Sequence, residues 1–198
     1  MSRISTLIAL PAAFASMAFT TQDKYVLEAP NGLGFAEIRG YEDWQDVAVS
    51  QVEDGLKVIV ANPTMINAYK AGVPGNGKPF PEGSKIVKIE WSQKKNPQSP
   101  YFVMVPDKLK SVSFIEKSSK RFPDTNGWGY AQFTYDPAAK AFTPVGSGKS
   151  FGKSECHACH IAVQAKDYIF TMHLSARDFP RGGKLAGKYW ANGAYLRG

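Results

Sequence analysis

Both cysteines of this chain lie in one five-residue motif near its C-terminal end, Cys156-His157-Ala158-Cys159-His160. The spacing Cys-x-x-Cys-His is the attachment motif of a c-type haem. Two thiols at this separation can form thioether bonds with the two vinyl groups of one porphyrin, and the histidine that follows directly can coordinate the iron. The sequence therefore predicts a chain that folds around haem c, with Cys156 and Cys159 as the attachment sites and His160 as the iron ligand.

Two other kinds of site use the same residue types. A thioredoxin-like redox disulfide follows a strand rich in Val and Ile, whereas the residues before this motif, 146–153, are predicted to form a loop. A zinc site needs further Cys or His ligands, and the sequence offers one more histidine outside the motif, His173. The spacing favours haem over both alternatives. His157 occupies a variable position of the motif and is expected to be partly exposed.

The N-terminal residues have the composition of a secretory signal peptide. Arg3 precedes an apolar stretch from Ile4 to Ala18, and the small residues at 13–15 and 16–18 are suitable for cleavage. We predict a signal peptide at residues 1–18. Covalent attachment of haem c takes place outside the cytoplasm, so we expect a periplasmic protein. No segment reaches the roughly 18 apolar residues of a membrane span, and no membrane association is expected.

The remaining chain is expected to form one domain, because about 180 residues suffice for a single hydrophobic core. We place this haem-binding domain at residues 19–179, followed by a basic, Gly-rich tail at 180–198. The net charge is +7, and the lysines are spread along the sequence. We expect an acidic redox partner or an anionic surface rather than nucleic acid. Charge that serves solubility alone is an equal alternative.

The pattern of apolar residues predicts an α+β fold, mainly antiparallel β-sheet, with a few helices and a C-terminal helix that begins at the haem motif. The predicted strands are 46–51, 56–61, 84–91, 101–105, 112–116 and 127–135. Asn62 is a predicted N-cap and Pro63 the first residue of a helix that ends near Ala71, before Gly72.

The position of the motif separates this chain from small electron-transfer cytochromes, which are all-helical and have the motif near the N-terminus. Here the haem would lie against a sheet, so strand side chains would form its distal side. A plain electron carrier with a methionine as sixth iron ligand stays an alternative, since Met65, Met104 and Met172 are available. Each of these is more often a core residue.

A series of short sequence elements extends this picture over residues 40–173. In order they are Tyr41-x-x-Trp44, Asn62-Pro63, Gly-x-Gly-x-Pro-Phe at 75–80, residues 83–90, Lys120-Arg121-Phe122, Gly127-Trp128-Gly129-Tyr130, the haem motif and residues 165–171. With these elements the chain resembles the cytochrome P460 family, which includes the cytochrome c′-beta proteins. The resemblance implies a homodimer of β-sheet subunits, each with one c-type haem, an axial histidine and an open distal coordination site.

The resemblance also implies a chemistry. Cytochrome P460 itself oxidises hydroxylamine to nitric oxide or nitrous oxide, and a lysine is bound covalently to its haem. The c′-beta relatives lack that bond and bind nitric oxide and other small gases. The thioether positions of the family fall on Cys156 and Cys159, and its axial ligand falls on His160.

The distal residues of the family fall on less typical side chains. The cross-linking lysine lies five residues after a glycine, and counting from Gly83 gives Lys88. A distal arginine falls on Lys57, which keeps the charge but lacks the planar guanidinium. The alternative for each of these lysines is an ordinary solvated strand residue. The distal glutamate of P460 falls on Ser113, with Glu116 as a candidate one register shift away. Serine is a poor proton acceptor, which puts efficient hydroxylamine oxidation in doubt.

Overall fold

The computed structural model describes residues 22–173, so the predicted signal peptide and C-terminal tail lie outside the described residues. Its main element is an antiparallel sheet of six strands in the order β1-β2-β3-β4-β5-β6, and each strand pairs with its neighbour in sequence. The strands are Gln45–Val52 (β1), Gly55–Ala61 (β2), Lys85–Lys95 (β3), Met104–Lys117 (β4), Trp128–Asp136 (β5) and Ala141–Pro144 (β6). The predicted α+β fold is confirmed.

The helical part of the fold is small. The α-helix α1 spans Pro63–Lys70, and short 3-10 turns occupy Lys24–Val26, Phe35–Ile38, Tyr41–Asp43 and Pro123–Thr125. A second helical segment carries the cysteines and consists of a π-helix, one α-helical turn and a 3-10 helix: Gly152–His157, Ala158–His160 and Ile161–Lys166. We call these residues, 152–166, the motif helix. None of the helices in the described part of the chain is long and apolar enough to cross a membrane.

Helix α1 forms where its capping residues predict it. The Oδ1 atom of Asn62 accepts a hydrogen bond from the backbone N–H of Met65 at 3.1 Å, and Pro63 is the first helical residue. A proline there costs nothing, because the first backbone N–H of a helix has no intrahelical partner. Gly72 follows the helix with φ of +89°, a left-handed conformation that favours glycine. The predicted helix is confirmed to within one residue.

Three predictions of local structure were wrong. The separate strands at 101–105 and 112–116 are one 14-residue strand, β4. Pro106 and the charged residues after it interrupt the apolar alternation, yet pairing with β3 keeps the backbone extended. Strand β6 was not predicted because its four residues are too few to show a period. The loop predicted at 146–153 already includes the start of the motif helix at Gly152.

The hairpin of β3 and β4 extends beyond the rest of the sheet. Strand β2 pairs with β3 only as far as Ser92, and β5 pairs with β4 only from Ser111. The hairpin tip exposes two aromatic side chains, since Tyr101 is 77% and Phe102 is 79% exposed. Within the part of the chain that the structure describes, no third strand pairs with this end of the hairpin, which is therefore a two-stranded ribbon.

One face of the sheet is covered by the N-terminal segment of the described chain. Phe35 is fully buried at its centre, with ring centroids 4.9 Å from Phe133 and 5.1 Å from Phe142. Leu33 and Ile38 are also fully buried in this cluster. Since side chains alternate along a strand, Val87 points into this core and its neighbours in β3 point to the opposite face.

The opposite face packs against α1 and the chain around residues 80 and 169. Trp128 is fully buried there, with its ring edge-on to Phe80 at 6.1 Å between centroids. Met65 of α1 and Ile169 complete this second core. It covers only part of the face, and the remaining part borders the motif helix at Cys156.

A buried pair of carboxyl groups lies at the end of β4 nearest the N-terminal segment. Two hydrogen bonds join the guanidinium of Arg121 to the carboxylate of Glu37, at 2.8 and 3.1 Å. Burial opposes ionisation of Glu37, but hydrogen bonds, first from Arg121, lower its pKa to about 2. Burial raises the pKa of Glu116 to about 7, and its hydrogen bond with Glu37 adds to this shift. Glu116 is therefore protonated more readily than Glu37, whose negative charge Arg121 stabilises.

This carboxyl pair predicts how stability depends on pH. The raised pKa of Glu116 contributes stability that is present below about pH 4.5 and is lost as the pH rises through about 7. Over that interval the wild-type protein should lose on the order of 2 kcal/mol through this group. In Glu116→Gln the loss should largely disappear, as measured by urea unfolding of the holoprotein between pH 4.5 and 7.

Glu37→Gln tests the other carboxyl group of the pair, which also contributes to the raised pKa of Glu116. The lowered pKa of Glu37 contributes stability above about pH 4.5 that is lost as the pH falls towards 2. This variant should therefore change the acid side of the profile. Equal slopes between pH 4.5 and 7 for wild type and Glu116→Gln would show that Glu116 is ionised normally in the folded protein.

Candidate haem-binding site

A cavity of about 390 Å³ lies between the second face of the sheet and the chain from 155 to 171. Side chains of β2 to β5 form the wall that we call the sheet wall: Ile59, Ile86, Lys88, Ser113, Ile115 and Gln132. Both cysteines and the last histidine of the motif line the cavity from the motif helix. The volume is in the usual range of about 300–1,000 Å³ for cofactor sites. The fold thus brings the predicted attachment residues to one concave, largely apolar surface.

His160 is held in the orientation that an iron ligand requires. Its Nδ1 atom lies 2.6 Å from the backbone carbonyl oxygen of Tyr168. A carbonyl can only accept, so Nδ1 carries the proton and Nε2 keeps its lone pair. Burial lowers the pKa of His160, against the opposing effect of the Tyr168 carbonyl, so the neutral ring is favoured. The ring of Phe170 lies edge-on at 5.0 Å between centroids.

The carbonyl of Tyr168 is positioned by a sharp turn after the motif helix. Asp167 and Tyr168 both have left-handed backbone conformations, with φ of +48° and +64°. The Asp167 carboxylate accepts hydrogen bonds from the backbone N–H of Phe80 at 2.8 Å and from Nζ of Lys117 at 3.0 Å. The indole N–H of Trp128 is a further donor at 3.3 Å. A buried ionic anchor therefore fixes the turn that holds His160.

His157 is buried, at 4% exposure, so the expectation that it is partly exposed was wrong. Its Nδ1 atom lies 2.9 Å from the hydroxyl of Tyr130, and its Nε2 atom lies 3.2 Å from Oδ1 of Asn126. Burial lowers the pKa of His157. The neutral ring then donates from Nε2 to Asn126 and accepts at Nδ1 from Tyr130. This variable position of the motif fastens the motif helix to β5, a contact that no local pattern could indicate.

The two cysteines differ in exposure. Cys156 is half-buried and Cys159 is exposed, and no disulfide joins them. Burial raises the pKa of the Cys156 thiol. Within residues 22–173, no group of three His, Cys, Asp or Glu side chains is arranged to hold a metal ion. His173 lies 2.9 Å from the side-chain amide of Gln45 instead of joining the cysteines. Neither zinc nor a disulfide is supported by this geometry.

The two predicted distal lysines lie on the same face of the sheet but in different rows. Lys88 lines the cavity, whereas Lys57 lies one residue pair further along β2 and does not. Both approach the carboxylate of Glu90, with Nζ to Oε2 distances of 3.8 Å for Lys57 and 3.9 Å for Lys88. Burial, and then the positive charge of Lys57, lower the pKa of Lys88. Lys88 therefore loses its proton more easily than a fully solvated lysine does.

The other two residues predicted for the distal side, Ser113 and Glu116, lie on opposite faces of the sheet. Ser113 faces the cavity, and its Oγ atom is buried with no hydrogen-bond partner among the described residues. Glu116 lies on the other face of the sheet, 3.4 Å from Nζ of Lys85, so it is not an alternative to Ser113. Sequence reasoning missed Gln132 and Tyr130, which also line the cavity. Their strand was predicted, but its register against β4 was not.

None of the three methionines considered as iron ligands lines this cavity. Met65 is fully buried in the core below α1, Met104 begins the outer part of β4, and Met172 lies at the end of the described chain. The geometry among the described residues gives no support to a methionine-ligated electron carrier.

The residues present fit a c-type haem. Two thiols and a neutral imidazole with a free Nε2 line one cavity, which is apolar around Ile59 and Ile86. The unpartnered hydroxyl of Ser113 indicates that a further group occupies the space in front of it.

This combination defines a protein of the antiparallel β-sheet class with a covalent haem-attachment motif at its C-terminal end. The family model of cytochrome P460 matches residues 38–171, which is most of the described chain. The chain therefore belongs to the cytochrome P460 family, whose members are c-type haem iron proteins. No curated protein matches this chain.

Proposed function

We propose that this c-type cytochrome is a periplasmic mono-haem protein that binds a small nitrogen ligand, nitric oxide or hydroxylamine, on the sheet side of its haem. The observation that carries the proposal is the division of the cavity. The thiols and His160 come from the motif helix, and a separate polar group, Ser113 with Lys88, comes from the sheet wall. A ligand bound on this side could therefore contact Ser113 and Lys88, which have no part in attaching the haem.

In this proposal Cys156 and Cys159 would hold the haem through thioether bonds, and His160 would bind the iron through Nε2. The haem would supply the redox-active iron to which the ligand coordinates. The hydrogen bond from Nδ1 to Tyr168 keeps the His160 ring in one tautomer and orientation. Ile59 and Ile86 exclude water from the sheet wall, and this increases the effect of each polar group that remains there.

Among the described residues, the sheet wall has no carboxylate, and the carboxylate that does line the cavity, Glu155, comes from the motif helix on the attachment side. This distribution supports binding over oxidation. Oxidation of hydroxylamine releases protons, which a distal acceptor must receive. The side chain at the family's acceptor position is the hydroxyl of Ser113, and Glu116 lies on the other face of the sheet. The nearest sheet carboxylate is Glu90, which lies between the ammonium groups of Lys57, Lys88 and Lys110.

The test is ligand binding by the purified holoprotein. We expect the reduced protein to bind carbon monoxide and nitric oxide, with a clear change in its optical spectrum, because no methionine of the described chain lines the cavity. A reduced spectrum that neither gas alters would show that the sixth position is blocked and would refute the proposal. A protein without covalent haem would refute it at an earlier step.

Hydroxylamine oxidation is the second candidate function, and the position of Lys88 is the observation that favours it. Lys88 lines the cavity, and its lowered pKa makes the neutral, nucleophilic amine more accessible. If Lys88 is bound covalently to the haem, the reduced Soret band of the wild type should lie far to the red. Lys88→Arg should restore an ordinary c-type spectrum. An ordinary spectrum in the wild type would remove the cross-link and leave ligand binding as the function.

The homodimer stays a prediction of the family resemblance, and the redox partner protein stays a prediction from the positive net charge of the chain. Light scattering of the holoprotein in solution tests the first, and electron transfer to a soluble acidic cytochrome tests the second. The signal peptide at 1–18 is tested by the N-terminal sequence of the exported protein.

A further inference from the structure

We infer that Ser113 and Gln132 form a pair of hydrogen-bond donors on the sheet wall, and that this pair favours small ligands whose outer atom accepts a hydrogen bond. The inference rests on the proposed function, because it names the residues that would set the ligand preference of the same site. The roles proposed for the haem motif and for Lys57 and Lys88 do not depend on this pair.

The register of the sheet places the two side chains next to each other. Ser113 in β4 lies directly opposite Gln132 in β5, and on its other side opposite Lys88 in β3. Side chains directly opposite on antiparallel strands have Cβ atoms about 4.5–5.5 Å apart and share one face. All three side chains line the cavity. They form one polar row across the sheet, with the apolar row of Ile86 and Ile115 beside it.

The hydroxyl of Ser113 is the strongest sign that this row meets a ligand. Its oxygen is buried, and no protein group within the described chain forms a hydrogen bond with it. Buried polar groups in native proteins nearly always have a partner, either protein, water or a bound molecule. The partner of Ser113 must come from the cavity that it lines, because its strand neighbours do not provide one.

Gln132 adds two N–H donors to this hydroxyl. Its side chain is half-buried at the same wall, and a carboxamide offers both N–H groups without changing its charge with pH. Lys88 is a cationic donor at the other end of the row. Among the described residues of the sheet wall, none is a carboxylate. The wall therefore donates hydrogen bonds and has no strong proton acceptor.

Such a wall should distinguish ligands by how well their outer atom accepts a hydrogen bond. Fluoride, nitrite and other small anions are strong acceptors, and they bind to oxidised haem iron. Carbon monoxide is a weak acceptor and binds to reduced iron. The chemical class that the row favours is thus a small anion, or a diatomic molecule that becomes negatively polarised when bound.

The experiment compares fluoride binding to the oxidised holoprotein with carbon monoxide binding to the reduced holoprotein. In Ser113→Ala and in Gln132→Leu, the affinity for fluoride should fall about twofold to tenfold, the usual effect of one hydrogen bond. The affinity for carbon monoxide should stay within about a factor of two. Thr134→Val is the matched control, because Thr134 is exposed on β5 outside the cavity, where its hydroxyl donates to the carbonyl of Thr143, and both affinities should stay at the wild-type level.

Ser113→Thr keeps the hydroxyl and should keep the wild-type affinity for fluoride. A fluoride affinity as low in Ser113→Thr as in Ser113→Ala would overturn the inference, because the hydroxyl would then have no effect. Equal losses for fluoride and carbon monoxide in Ser113→Ala and Gln132→Leu would overturn it as well, since they indicate a change of shape. Failure of the wild type to bind either carbon monoxide or nitric oxide refutes the proposed function itself and is a separate outcome.

Discussion

Replacing Asp167 with alanine is expected to destabilise the holoprotein by about 3–5 kcal/mol, the cost of leaving one partner of a buried ion pair uncompensated. The Nζ atom of Lys117 lies 3.0 Å from the Asp167 carboxylate, and the two side chains are only 7% and 11% exposed. Without the carboxylate, the ammonium of Lys117 loses its charged partner and keeps the carbonyl of Asn126 at 3.1 Å and the ring of Trp128 at 4.9 Å. Urea unfolding measures the loss.

Two controls separate this effect from a general loss of charge. The double variant Lys117→Met with Asp167→Ala removes both charges and should be more stable than Asp167→Ala alone. Asp107→Ala breaks the exposed ion pair with Lys94, at 2.7 Å, and should cost less than about 1 kcal/mol. A loss in Asp167→Ala no larger than that in Asp107→Ala would show that Lys117 is not confined in the folded protein.

The same substitution should also affect His160, the proposed iron ligand. Asp167 fixes the turn whose Tyr168 carbonyl accepts the hydrogen bond from His160. When that turn loosens, the hydrogen bond weakens and His160 becomes a poorer electron donor to the iron. The iron–histidine stretching frequency of the reduced protein should fall, and the midpoint potential should rise. If a folded Asp167→Ala variant kept the wild-type stretching frequency and midpoint potential, Asp167 would have no effect on the orientation of His160.

The second large effect is expected when Cys156 and Cys159 are both replaced with alanine. No cysteine then remains in the chain, so acid-acetone extraction should remove all haem from the protein. In the single variant Cys156→Ala, one thioether at Cys159 should keep the haem attached. Haem staining after denaturing electrophoresis measures both results.

Ser154→Ala is the matched control for the cysteine variants. Ser154 is exposed on the motif helix, where its hydroxyl donates to the carbonyl of Ser150 at 3.2 Å. Its replacement should leave the covalent haem intact. Haem that survives extraction from the variant without cysteines would show that another residue holds it, and Lys88 would be the first candidate.

The elements that local chemistry determines could be predicted from the sequence. The cap at Asn62 depends on neighbours in the chain and is found where expected. Strand β3, Lys85–Lys95, begins as its local alternation predicts but continues beyond its predicted end at Trp91. The continuity of β4 depends on its partner strand, since Pro106 interrupts the local pattern. Strand pairing across the sheet, not local propensity, extends it.

In the site, too, some residues could be predicted from local chemistry and others depend on strand pairing. The spacing of the motif indicates Cys156, Cys159 and His160, because their chemistry is local. The burial of His157 and the part that Gln132 has in the cavity depend on contacts with β5 and on strand register. A shift of one residue in that register would turn Gln132 away from the cavity and replace it with a neighbour. Sequence alone could not fix this.

The strand order has a consequence for the assembly of the holoprotein. Every strand pairs with its neighbour in sequence, so the sheet closes through local contacts, which form quickly. All six strands precede the thiols, and a chain made from its N-terminus presents the whole sheet first. We expect the docking of residues 152–173 onto this sheet to come late in the assembly of the holoprotein.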